Sequence, residues 1–420
     1  MPKYEIMVAF QKEGDMVKRW QLERLKHLLS ARRGVNLTGA RQVGKSTLAK
    51  SLTLTNSRIW TLDDDLALQA AKSDPPSFVK HMPGETLIID EIQKAPTLLN
   101  AIKIVLDNDN SKGQYLLTGS ANLQFAKTVK DSLAGRLGVV RLRPFSFGEI
   151  NGVDPTFLDS AFNKHFKETY ALMDKRDIIH EAFLGGYPEP RELESYDRLD
   201  WFKRYLNDLL TKDIRDITEI RKVKILNDIA EWIFAHTAQF FSINELAGKA
   251  SVSKETVMNY IEAIKAMYLF DELPAWNKSD YDKLGKRSKY IATDSSMVAN
   301  ILGWNEENVY LDEQKNGKLV ETWVYNQLSS IVDLGHEYAI SHYRDNKKRE
   351  IDFIVERQDG AILGIEVKSG AVNNSDFNHL KWFGANLSQS NFVGIVLYSG
   401  DHALQFGEGL YAVPLSALGA

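Results

Sequence analysis

The stretch Gly39-Ala40-Arg41-Gln42-Val43-Gly44-Lys45-Ser46-Thr47 constrains this chain more than any other. A glycine, four residues and then Gly-Lys-Ser is the spacing of a phosphate-binding loop. Gly39 and Gly44 let the backbone curl so that its N–H groups face phosphate oxygens, and a helix opening near Lys45 turns its positive end toward them. Lys45 would neutralise charge on the β- and γ-phosphates of ATP, and the Ser46 hydroxyl would hold Mg²⁺. The flanks agree with this. The short apolar run from Gly34 to Thr38 reads as a strand, and Thr47, Leu48, Ala49 and Leu52 continue as a helix. An amphipathic helix from Val17 to Arg33, with Trp20, Leu22, Leu25 and Leu28, precedes the strand.

Such a loop needs a second strand that ends in a carboxylate. Thr86-Leu87-Ile88-Ile89-Asp90-Glu91 supplies one, its β-prone run suiting a parallel strand buried on both faces. Asp90 is expected to bind Mg²⁺ through water, and Glu91 to polarise the attacking water as general base. A third strand, Gln114 to Thr118, leads into Gly119-Ser120-Ala121-Asn122. Ser120, or else Asn122, would sense the γ-phosphate; either also reads as an ordinary strand-to-helix cap. Arg136 closes the run Ser132-Leu133-Ala134-Gly135-Arg136. It reads either as a finger reaching a neighbouring subunit's ATP, which implies a homo-oligomer, or as a surface arginine.

Length and composition set the outer bounds. At about 150 residues per domain, 420 residues make two or three units. With 44% hydrophobic residues the chain can bury real cores. Lys and Arg number 52 against 56 Asp and Glu, a net charge of −4, which excludes a uniformly cationic binder but not a local basic groove. The absence of cysteine excludes disulfide scaffolds, zinc fingers and thiol catalysis. No stretch reaches the ~20 apolar residues of a membrane span, and MPKYEIMVAFQKEGD lacks a signal-peptide pattern. The expectation is a soluble cytoplasmic protein with no membrane partner.

Taken in order, GARQVGKST, LIIDEIQ, LLTGSAN, SLAGR, RPFSFGE and LGGYPEP resemble the uncharacterised AAA-type ATPases of archaea and bacteria that carry a C-terminal domain of unknown function. The resemblance covers nearly the whole chain. It implies an α/β fold in which a P-loop NTPase core of AAA type (residues 1–170) is followed by a helical lid (171–230). Arg143 to Glu149 and Gly185 to Pro188 read as turns and contacts rather than chemistry.

Within the lid, Trp201, Tyr205, Leu209 and Ile214 form an apolar stripe. Arg215 and the Arg221-Lys222-Val223-Lys224 cluster are offset by Asp213, Asp216 and Glu219, as on a solvated face. Residues 231–300 read as a winged-helix unit. One helix enters at Ser242; after a turn at Val252-Ser253 a second runs from Lys254 to Phe270, with Val257, Tyr260, Ile261, Ile264 and Met267 apolar. The second helix would present Ser253, Lys254, Thr256 and Asn259 to DNA, although Glu255 and Glu262 dilute the charge and winged helices also serve as protein contacts. The basic run Lys283 to Lys289 reads as a phosphate-facing wing or a solvated loop.

In residues 301–420 an amphipathic helix, Gly317 to Ser329, carries Glu321. A strand at Arg349 to Glu356 and a turn at Arg357-Gln358-Asp359-Gly360 lead to a hairpin partner, Ala361 to Lys368. Glu366 and Lys368 are two apart and share a strand face, beside Asp352 on the adjoining strand. Asp352 and Glu366 would hold Mg²⁺, Lys368 would orient water, and Glu321 would join from the helix. This looks like a PD-(D/E)XK nuclease, an α/β restriction-endonuclease-like fold, with Glu350-Ile351 standing where Pro is expected before Asp352. An exposed salt-bridge ladder is the other reading, but a carboxylate inside an apolar strand is costly unless paired. Lys347-Lys348-Arg349 would meet a DNA backbone or form a solvated turn.

The expectation for the whole is a Mg²⁺-dependent ATPase coupled to DNA binding, remodelling or processing, including junction branch migration or cleavage. The alternative is a nucleotide-gated, non-cleaving regulator, of signalling or toxin–antitoxin type, whose partner is DNA or protein.

Overall fold

The computed structural model describes residues 17–52, 56–119, 133, 135–212, 214, 223–278, 287–388 and 391–420. Five strands form its first sheet: β1 (Gly34–Thr38), β2 (Ser57–Thr61), β3 (Thr86–Asp90), β4 (Tyr115–Gly119) and β5 (Leu137–Arg141). All pairings are parallel, in the order β2-β3-β4-β1-β5. Every residue of β1 and β4 is buried, because helices cover both faces and near-continuous apolar runs suit that position. With β4 between them, the C-terminal ends of β1 and β3 lie on one sheet edge about 10 Å apart. The strand predicted at Gln114 to Thr118 is displaced by one residue, and the helix predicted over Val17 to Arg33 is trimmed to Gln21–Ala31.

Helices Lys175–Leu184, Ser195–Thr211 and Val223–Ala235 follow. Tyr205, Leu209 and Ile214 of the expected stripe are buried, and Trp201 stacks on Tyr205 at 5.0 Å. Asp213, Arg215, Asp216, Glu219, Arg221 and Lys222 lie outside the described residues. Two shorter helices, Ile243–Ala250 and Lys254–Ala266, then meet at a turn. Ser242 and Ser253 cap them by accepting from the N–H groups of Glu245 and Thr256. Val257, Tyr260, Ile261, Ile264 and Met267 are all buried, as their helical spacing requires. An antiparallel ribbon of β6 (Phe270–Leu273) and β7 (Lys289–Ala292) completes this unit.

The helix Glu313–Val332 opens the last unit. Its mixed sheet contains β8 (Tyr338–Arg344), β9 (Glu350–Arg357), β10 (Ile362–Val367), β11 (Phe392–Tyr398), β12 (Leu404–Gly407) and β13 (Leu410–Pro414), in the order β12-β13-β11-β10-β9-β8. β8, β9 and β10 form an antiparallel meander, with β9 and β10 the expected hairpin. β10 runs parallel to β11, with the helix Asn378–Phe383 between them in the chain. One hydrophobic cluster runs from Trp20 to Leu418 through all these units, so they pack against one another as a continuous interior. Among the described residues no helix is long and apolar enough to cross a membrane.

Candidate nucleotide site and a second carboxylate cluster

The loop from Gly39 to Thr47 follows β1 directly. Gly39 has φ 146°, and a Cβ there would lie 2.1 Å from the Leu142 carbonyl oxygen; Gly44 has φ 96°. Only glycine fits the first position without moving backbone. Ala40 and Val43 are buried beneath the loop, while Arg41, Gln42 and Thr47 face outward. Lys45 opens the helix Lys45–Ser51, and its Nζ donates to the carbonyls of Gly39 (3.0 Å) and Ala40 (2.7 Å), within the cradle a phosphate would enter.

Ser46 Oγ donates to Asp90 Oδ1 at 2.9 Å, which joins the β1 loop to the end of β3. The Thr118 hydroxyl on β4 also donates to Asp90, and it accepts from the Glu91 N–H at 3.3 Å. A hydroxyl and a carboxylate side by side are hard oxygen donors of the kind Mg²⁺ takes, so these residues fit the expected ion. Glu91 sits just past the strand in a left-handed conformation, φ 58°, and its carboxylate accepts from the Gln93 side chain. A non-glycine residue held there stores strain, which concentrates at functional sites. Burial raises the Glu91 carboxyl above the ordinary range, against the pull of Lys45.

Burial lowers Lys45 to about 8, although Glu91 and Asp90 pull it upward. Phosphates favour the ammonium form, so binding draws a proton in above that value. ADP affinity should therefore fall as pH rises, by roughly eight-fold between pH 7.5 and 9. Titration calorimetry at the two pH values tests this, and a flat profile would count against Lys45 as the phosphate's counter-charge.

Arg136 stands just before β5, level with the start of β1 and so at the sheet edge opposite the phosphate loop. Its guanidinium pairs with Asp107 at 2.5 and 3.1 Å. It does not reach the site of its own chain. Ser120 and Asn122 lie outside the described residues.

The C-terminal carboxylates do converge, with one correction. Asp352 Oδ2 accepts from the Val367 N–H at 2.9 Å, which ties β9 to the end of β10. Glu366 is 7% exposed, and its Oε1 has no hydrogen-bond partner; the His379 ring lies 4.0 Å away. Burial and then Asp352 push the Glu366 carboxyl well up, while Lys368 pulls it down. Glu321 does not join as a third ligand. Lys289, 1% exposed, places its Nζ 2.9 Å from Glu321 and 2.8 Å from Glu350, and so takes both acids. Among the described residues no group of three or more His, Asp or Glu side chains is arranged to hold a metal ion. Of the expected basic run, Lys283 to Lys286 lie outside the described residues and Arg287 is exposed, but Lys289, its last residue, is an interior cation rather than a phosphate contact. Arg349 is likewise engaged, 2.6 Å from Asp345 and stacked on Trp382.

Sequence reasoning missed several positioning residues. Arg19 is buried and donates to the carbonyls of Val43 (2.9 Å) and Arg143 (2.5 Å) and to Glu149 (3.1 Å), bracing the phosphate loop from behind. Tyr205 donates to the Arg41 carbonyl at 3.1 Å. The RPFSFGE and GGYP segments are contacts: Phe145 N–H bonds the Gly186 carbonyl at 2.7 Å, and Ser146 caps the helix Phe147–Ile150 in a capping box with Glu149. Arg143 pairs with Asp271 on β6 (2.7 Å) and Asp333 (2.6 Å). The Ser146-x-x-Glu149 spacing is a local capping-box signal, but no local pattern marks Arg19, Arg143 or Tyr205, whose partners lie far away in sequence.

Residues 31–151 match the AAA domain family, 175–308 match a domain of unknown function (DUF8612), and 316–418 match another (DUF4143). Uncharacterized proteins of Mycobacterium tuberculosis and Mycobacterium bovis are each 23% identical over 400 residues, spanning 93% of this chain and 82% of theirs. A Walker-type ATPase of Pyrococcus abyssi is similar in structure at 15% identity and a TM-score of 0.43, covering 68% of this chain and 96% of that one. The β2-β3-β4-β1-β5 sheet, the Gly39–Thr47 loop and the Asp90-Glu91 strand end thus belong to an AAA-type P-loop ATPase domain, which this chain carries ahead of two domains of unknown function.

Proposed function

We propose that the chain is a Mg²⁺-dependent ATPase that couples ATP binding and hydrolysis to DNA engagement, remodelling or processing in the cytoplasm. The observation that carries the hydrolytic part is the meeting of Ser46 with Asp90, with Glu91 next in the chain, at one sheet edge. Bound Mg²⁺ would offset charge on the β- and γ-phosphates. Lys45 would hold those phosphates, Ser46 and Asp90 would hold the ion, and Glu91 would accept the proton of the attacking water. Arg136 would serve a neighbouring subunit, which makes a homo-oligomer the working form.

Support for DNA as partner comes from the middle unit. Its three helices and ribbon have the order of a winged helix, and Lys254 and Asn259 are exposed on the second helix of the turn. The last unit runs helix, three-stranded meander, helix, strand, the order of a PD-(D/E)XK nuclease. In this reading Asp352 and Glu366 would hold a divalent cation, for which the unpartnered Glu366 oxygen is the fitting feature, with Lys368 beside them.

A second reading is a nucleotide-gated regulator that binds DNA or a protein partner without cutting. The Lys289 bridge favours it, because an interior ammonium already answers half of the cluster's acids. ATP turnover with single-stranded, duplex and four-way-junction DNA, with the same samples run on a gel, separates the two. The first reading expects several-fold stimulation by one DNA form and Mg²⁺-dependent cutting that Asp352→Ala and Lys368→Ala abolish. Stimulation without cutting favours the second, and indifference to every DNA at low salt would remove DNA as partner, since phosphate contacts are strongest there.

A further inference from the structure

Four carboxylates lie near one another at the junction of the last two units: Glu321 on the long helix, Glu350 and Asp352 on β9, and Glu366 on β10. Each of Glu321, Asp352 and Glu366 feels others of the group electrostatically. Two cations stand among them. Lys368 follows β10 and belongs to the same unit, whereas Lys289 is delivered by β7, from the unit before. If all six groups are charged the cluster carries −2, which one divalent cation would balance. Arg344, 3.5 Å from Glu350 and 40% exposed, lies at the rim, where water screens it.

The contacts divide the acids into two pairs. Lys289 touches Glu321 and Glu350, while Glu366 keeps a buried oxygen with no donor and Asp352 accepts from the Val367 N–H. Such an oxygen costs free energy unless something fills its place. Lys289 is fixed from behind by β-pairing with Leu273.

We propose that Lys289 is a built-in ammonium that withholds Glu321 and Glu350 from the cation site, leaving Asp352 and Glu366 to take a single divalent ion. This rests on the reading of Asp352 and Glu366 as metal ligands. Lys289 sets the site's ligand number and its strength: with it in place the site offers two carboxylates and binds weakly, and without it Glu321 is released as a third.

Mn²⁺ titration of nucleotide-free full-length protein by calorimetry tests this. Wild type should bind one ion weakly, and Glu366→Gln should lose it. Lys289→Met should bind at least about ten-fold more tightly, because a positive charge beside the ion is removed and a carboxylate is freed. Lys289→Met with Glu321→Gln, which replaces both members of the buried pair, should return to within about three-fold of wild type. Equal or weaker binding by Lys289→Met, with the Glu366 dependence intact, overturns the role of Lys289 and leaves the metal reading standing. Absence of any Glu366-dependent binding overturns both. Anomalous diffraction from Mn²⁺-soaked wild-type crystals does not depend on how the variants fold: an ion on Asp352 and Glu366 with Lys289 still on Glu321 supports the proposal, and an ion ligated by Glu321 sinks it.

Discussion

Glu91→Gln is expected to keep ATP bound while turning it over at a hundredth of the wild-type rate or less, of the order that loss of a general base costs. Gln has the same shape and still meets Gln93, so the strand end, the Ser46–Asp90 bond and the phosphate loop should be undisturbed. What disappears is the carboxylate proposed to accept the proton of the attacking water. Lys45→Ala should fail earlier, at binding, because it removes the interior ammonium proposed to hold the phosphates. The pair separates binding from chemistry: single-turnover hydrolysis with a filter-binding control should show the first variant loaded and slow, and the second empty. Turnover by Glu91→Gln at the wild-type rate would move the base to another residue.

The ATPase half was legible because its chemistry is local. Nine consecutive residues make the loop, and Asp90 and Glu91 stand in sequence at the end of β3, so spacing alone was enough to expect the meeting of Ser46 with Asp90 that the structure shows. The C-terminal pair was legible for a similar reason, since a two-residue step on a strand fixes a shared face for Glu366 and Lys368. What spacing cannot show is which neighbour answers a buried charge. Glu321 stood one turn inside an amphipathic helix and read as free to ligate; its partner Lys289 is 32 residues earlier, in a run whose charge suggested a solvated wing. Arg19 and Arg143 escaped notice likewise, each ordinary in its own segment and interior only once distant elements close over it.

Those long-range cations also place the three units in one framework. β6 carries Asp271, which Arg141 and Arg143 of the ATPase sheet hold, and Tyr325 of the long helix donates to it at 2.9 Å. β7 beside it carries Lys289, which enters the carboxylate cluster. Glu321 and Tyr325 lie one turn apart on the same helix, so both ends of the ribbon grip the same element. The ribbon thus joins β5 to the long helix through packed, charged contacts.

Arg143→Met tests that framework where it is most buried. The guanidinium is 5% exposed and lies within 2.7 Å of both Asp271 and Asp333. Its removal leaves Asp271 to Arg141 and Tyr325 and weakens a buried ion pair whose complete loss costs about 3–5 kcal/mol. The pH dependence shows whether an ionised carboxylate is at issue. Burial pushes the Asp271 carboxyl up, but Arg141 and Arg143 more than offset this and hold it well below the ordinary range. A carboxyl lowered by folding adds stability that is full above its unfolded value near 4 and is lost as pH falls through the folded one. In Arg143→Met the folded value rises toward the unfolded one, so the variant has less of that stability to lose. The gap in unfolding free energy between wild type and variant should thus be widest at pH 7 and narrow by pH 3, followed by denaturant titration. A large gap that stays constant across that range would show that the loss is one of packing, and that the ionised Asp271 is not what joins the ATPase sheet to the ribbon.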